Sequence, residues 1–211
     1  MITTVNLSYI IVTIFVALIT AIIGPIVVNW VILKMEKKDK KTPMHEALET
    51  STLIDTQLET IMNELSCDRV WLAQFHNGGH FYPTGKSIQK FSFFYEKTSP
   101  NTPTIQHTFQ NIPVSLFPRV LSKIYNDDEI SIEDVSIAED TIGLEYLTTQ
   151  FNTKSICMLG VYSLDNHLIG VLGISYKESH HMARDEWSFV RQKVGVIGTL
   201  LSEYLYTNNK K

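Results

Sequence analysis

The sequence predicts an α+β protein: one N-terminal transmembrane helix, then a single domain whose central antiparallel sheet is covered by helices. Three observations predict it. The first 33 residues carry no charged side chain, whereas the next eight (KMEKKDKK, Lys34 to Lys41) carry seven charges. Two β-rich runs, KSICMLGVYS (154–163) and HLIGVLGISY (167–176), are apolar at successive positions instead of alternating, the pattern of strands buried on both faces. Amphipathic stripes at three- and four-residue steps stand at either end of the domain.

The anchor comes first. IIVTIFVALITAIIGPIVV from Ile10 to Val28, continued to Leu33, exceeds the roughly 20 apolar residues that cross a 30 Å hydrocarbon core. A cleavable signal peptide would place its basic residues before the apolar run, and here they follow it. Residues 1–33 therefore read as a permanent anchor, kinked at Pro25. The lysine bias places the N-terminus outside and the domain in the cytoplasm, at an inner or plasma membrane. Trp30 is expected at the inner interface, with Lys34, Lys37, Lys38, Lys40 and Lys41 at the membrane surface, against anionic headgroups or as a topology signal alone.

Residues 34–43 form a basic linker and 44–206 the domain, with 207–211 a frayed tail. The chain carries a net charge of −4, and the linker's five lysines against Glu36 and Asp39 leave the body near −7. An acidic body argues against nucleic acid as a partner. Cys67 and Cys157 have no metal or redox spacing and read as free thiols in a reducing compartment; an outward-facing domain would permit one disulfide.

Thr42-Pro43 opens a helix that runs to Ser66 and either packs on its own sheet or pairs with a second copy. Arg69–Phe75 reads as a strand, His76–Gly79 (HNGG) as a turn, and Ser87–Lys97 as a second strand. Thr98–Pro113, with three prolines, reads as a loop. A short helix is expected over Val114–Ile124, interrupted by Pro118, and another over Thr141–Thr149 behind Asp140. Ile130–Ile132 lies between them as a strand. Leu164-Asp165-Asn166 joins the two apolar runs as a hairpin, and Gly160, Gly170 and Gly173 mark close approach or bending. Arg184–Tyr206 closes the domain as a helix.

That order, and above all the closing pattern of apolar strand, turn at Asp165-Asn166, LIGVLGISY and long amphipathic helix, resembles a GAF domain, the sensory fold related to PAS. The resemblance spans about Met44 to Tyr206 and is specific over Lys154–Tyr206. It implies a ligand site between the sheet and the irregular middle segment. The NKxxFxxxDE signature of cyclic-nucleotide GAF domains and a bilin-attachment site are absent from the sequence, so the cofactor is left unassigned.

Residues 74–91 (QFHNGGHFYPTGKSIQKF) are the densest candidate site. Gly79 and Gly85-Lys86-Ser87 imitate a phosphate loop, but five residues separate the glycines instead of four, and a strand follows where a helix N-terminus is needed. His76 and His80 have ligand spacing only on a helix, which Asn77-Gly78-Gly79 opposes, so no metal is assigned. No nucleophile elbow or positioned base supports catalysis. The remaining expectation is a binding site of His76, Asn77, His80, Tyr82, Lys86 and His107, with Phe109 on its wall and Lys90 and Arg69 adding positive charge. The leading reading is a membrane-tethered, non-catalytic sensory module that forms a homodimer or higher homo-oligomer and binds a small ligand or protein partner. The layout is also similar to T-even-type phage holins, which makes a lysis protein the alternative. An anchored structural scaffold is the third.

Overall fold

The computed structural model of the protein describes residues 3–38, 42–81, 83–138, 144 and 150–207. The chain divides into two units, 1–45 and 46–211. In the first, α1 (Thr3–Lys38) is one helix of 36 residues that passes through Pro25. Its apolar side chains, including Ile11, Phe15, Val27 and Trp30, are exposed. Among the described residues no helix is long and apolar enough to cross a membrane. The expected span includes side chains outside the description, at 18, 20, 22 and 31–33. The side chains of Lys34, Lys37, Lys38, Lys40 and Lys41 also lie outside the described residues.

The next helix, α2 (Pro43–Leu65), starts where the sequence places it. The Thr42 hydroxyl accepts the backbone N–H of His45 at 3.3 Å, an N-cap with proline at the first helical position. Ile54, Leu58, Ile61 and Leu65 follow at steps of four, three and four and are buried. The opposite side is polar, where Thr52, Thr56 and Thr60 each donate to the carbonyl four residues back. Ser66 ends the helix at φ 48°.

A six-stranded antiparallel sheet follows, built from β1 (Arg69–His80), β2 (Ser87–Thr98), β3 (Ile112–Pro113), β4 (Glu129–Ile132), β5 (Ser155–Tyr162) and β6 (Leu168–Tyr176) in the order β3-β2-β1-β6-β5-β4. Two expectations are corrected here. His76–Gly79 is strand, not turn: His76 pairs with Lys90, Asn77 with Gln89 and His80 with Ser87. Gly78-Gly79 form a bulge in that ladder, with Gly79 at φ 103°, so the glycines bend a strand they were expected to end. The turn lies beyond it, where Phe81 N–H donates to the Lys86 carbonyl and Gly85 takes φ 69°. Pro118 likewise opens α3 (Pro118–Asp127) and does not interrupt it, because a first-turn proline gives up no intrahelical bond. A 3-10 turn over Val114–Leu116 precedes it, and β3 lies within the expected loop. The helix expected over Thr141–Thr149 lies outside the described residues apart from Leu144.

The sheet is covered on both faces, as the unbroken apolar runs require. Along β5, Cys157, Leu159 and Val161 join the core under α2 and α4 (Arg184–Thr207). Ile156 and Met158, one residue out of phase, join the second core under α3 and the 105–117 segment. On α4, Val190, Val194, Ile197 and Leu201 pack down, and Gly198 brings the helix onto the hairpin. A Cβ there would lie 2.3 Å from the Tyr162 carbonyl oxygen. Ser202 fixes the same contact, donating to Gly198 O and accepting the Leu164 N–H.

Candidate functional site

The second core does not close completely. Between the sheet and the middle segment lies a cavity of about 50 Å³, lined by Trp71, Phe93 and Met158 from the sheet and by Phe109, Val120 and Ile124 from the middle segment and α3. The register explains its wall. Trp71, Ala73 and Phe75 share one face of β1, with Phe91 and Phe93 opposite them on β2. The Trp71 indole stacks on Phe93 at 4.2 Å between centroids, and Phe93 stacks on Phe109 at 4.7 Å. Gly173, paired with Trp71, makes room for the indole: a Cβ at Gly173 would lie 2.0 Å from Trp71 Cζ2.

A buried ion pair holds the segment that closes the cavity. Arg69 Nε lies 3.3 Å from Glu96 Oε1, with both side chains almost fully buried. Arg69 donates to Thr153 Oγ1, Pro103 O and Phe151 O, and Glu96 accepts the backbone N–H groups of Ile105 and Gln106. Burial pushes the Arg69 pKa down while the Glu96 and Asp68 charges oppose the shift. Arg69 therefore fastens the 103–109 segment and the returning chain at 151–153 to the strands. It was expected to offer charge to a ligand; its guanidinium is committed to these partners instead.

Phe109, expected on the wall of the site, lines the cavity, whereas His76, Asn77, His80, Lys86 and His107 do not. His76 lies on the sheet face opposite Phe75, with Nε2 2.9 Å from the buried Ser92 Oγ, which also accepts the Asn111 N–H. Asn77 accepts a hydrogen bond from Gln89 across the strands. The Lys90 side chain lies across Gly78, where a Cβ would meet its Cδ at 2.2 Å. His80 and Lys86 are exposed near the β1–β2 tip, and Tyr82 lies outside the described residues. His107 is exposed, although its neighbours Ile105 and Phe109 reach the cavity. The structure thus gathers His76, Asn77, His80 and Lys86 along one hairpin and leaves His107 apart. Among the described residues no group of three or more His, Cys, Asp or Glu could hold a metal ion.

Apart from Phe109, the cavity residues were not singled out in the sequence. A signal existed in Trp71 among small and aliphatic neighbours, with a glycine-bearing strand, HLIGVLGISY, to lie against it.

No protein-family model and no curated protein matches the chain. Solved structures do. The blue-light absorbing form of the Thermosynechococcus elongatus PixJ GAF domain superposes with a TM-score of 0.62 at 14% identity, covering 77% of this chain and 90% of its own. The phycocyanobilin-bound GAF domain of a cyanobacterial phytochrome gives 0.60 at 19%, covering 80% and 92%. The third GAF domain of Slr1393 from Synechocystis, in its photoproduct state, gives 0.59 at 17%, covering 77% and 99%. At these identities the likeness establishes architecture. The globular unit of this chain has the GAF fold.

Proposed function

We propose that this chain is a membrane-tethered, non-catalytic sensory module that binds a small molecule between its sheet and its middle segment. The observation that carries the reading is the aromatic cavity beneath α3, in the fold that holds phycocyanobilin in one of its structural neighbours. On this reading the ligand binds in the interior and not at the β1–β2 hairpin. The exposed apolar side chains of α1 and the lysines that follow support the tether, with the domain on the cytoplasmic side. Exposed Leu48 and Leu53 on α2 and Val196 and Leu205 on α4 support self-association through those helices.

One observation favours a second reading, the anchored scaffold. Pockets for drug-sized ligands hold about 300–1,000 Å³, and this cavity holds about 50 Å³. A sensor must then take a compact ligand or displace side chains to admit a larger one. Native mass spectrometry of the full chain released from lipid nanodiscs separates the two. The sensor carries a stoichiometric small molecule, which Ala73→Leu removes by filling the cavity floor while α-helical content is retained. A wild-type chain that stays empty after exposure to host-cell extract is the scaffold.

A further inference from the structure

A second depression adjoins the cavity. A surface groove of about 410 Å³ runs between α3 and the end of β1, lined by Phe75, Val114, Pro118, Leu121, Tyr125 and Leu168 among others. Phe75 and Leu121 line both the groove and the cavity, so these two side chains stand between surface and interior. Among the described residues, no charged side chain lines either space. The polar groups of the cavity wall are few. Trp71 is 5% exposed, and its Nε1–H is buried with no hydrogen-bond partner among the described residues. Thr153 Oγ1 already accepts from Arg69, which leaves its proton to give; Ser175 adds one more hydroxyl.

We infer that cavity and groove are one binding channel, gated by Phe75 and Leu121, for a neutral apolar molecule carrying a single hydrogen-bond acceptor that satisfies Trp71 Nε1–H. Three observations converge on that class. An indole N–H can only donate, so its missing partner is an acceptor. A buried donor without a partner is a standing cost that such a ligand relieves. The described wall carries no charge and so rejects an ionised ligand, whose burial would go uncompensated. The aromatic stack of Trp71, Phe93 and Phe109 offers ring faces to an aryl or alkyl body. The inference rests on the reading of the cavity as the ligand site.

The test uses the full chain in nanodiscs of one fixed lipid composition, with three probes of similar shape: acetophenone (neutral, with an acceptor), ethylbenzene (neutral, without one) and benzoate (anionic). The Trp71 indole N–H resonance is assigned by its loss in Trp71→Phe. Acetophenone should shift it and bind about two- to twelvefold tighter than ethylbenzene, the share of one net hydrogen bond. Benzoate should not compete. Trp71→Phe should bring acetophenone down to the level of ethylbenzene while ethylbenzene still binds, which also shows that the variant is folded. Leu121→Trp should weaken both neutral probes by about tenfold or more. Benzoate binding as tightly as acetophenone, or an unchanged acetophenone-to-ethylbenzene ratio in Trp71→Phe, would overturn the inference and leave the cavity a ligand site. If no probe perturbs any cavity residue, the inference and the sensory reading fall together.

Discussion

Arg69 shows how little a residue's type says about its task. In the sequence it is a cation near a candidate ligand site; in the fold it is a buried clamp with Glu96 as its counter-ion. Arg69→Met strands the Glu96 carboxylate in the interior, so urea unfolding should register a loss of about 3–5 kcal/mol. The two thiols make a second case. Burial pushes Cys67 up to about 12 and Cys157 to about 11. Because the native state retains these protons, their contribution to stability is complete below the ordinary thiol value of about 8.5. It is lost as pH rises toward the native values. A thiol reagent at pH 8 should therefore modify neither cysteine in the native chain and both in urea, and alkaline stability should decline from about pH 9. The sequence reading of Gly160, Gly170 and Gly173 as points of close approach holds: added Cβ atoms would meet the Tyr162 ring, the Ala73 carbonyl oxygen and the Trp71 indole. The turn expected at His76–Gly79 failed because Asn-Gly-Gly serves a bulge as readily as a turn, and pairing with the distant Ser87–Lys90 stretch decides which.

At the scale of elements, period and punctuation were enough to find α2, α4, β5, β6 and their hairpin. Each of these is defined by local pattern and a terminal signal that packing does not override. The extension of β1 to His80 and the two-residue β3 were not legible, since both depend on where a distant strand sits; Pro118 is a local signal, a first-turn proline taken for an interruption. The lining residues other than Phe109 escaped for a different reason: an apolar pocket and an apolar core draw on the same side chains. Gly198 in α4 tests whether packing outweighs propensity. Helix propensity alone favours alanine there by about 1 kcal/mol. The Tyr162 carbonyl lies where the new methyl would go, and overpacking costs about 1–3 kcal/mol. Gly198→Ala should therefore lower stability by up to about 2 kcal/mol. A gain in Tm would show that α4 can back away from the hairpin.

For the molecule as a whole, the uncharged head and the acidic body set two separate expectations. Alkaline carbonate extraction should leave the full chain in the membrane pellet, and a deletion of residues 3–33 should move it to the supernatant. Protease added to sealed, right-side-out vesicles should spare the body, and added to inverted vesicles should digest it; the opposite result would fit a lysis protein. Sensing itself rests on whether the interior beneath α3 admits a guest. Methyl NMR of the full chain under xenon pressure measures that most directly, since apolar cavities take up xenon without any specific contact. The account predicts shifts at Ile124, Ile156, Met158 and Val171, which line the cavity, and none at Ile54, Leu58 or Ile197 in the core under α2 and α4. Shifts confined to that other core, or absent throughout, would contradict it.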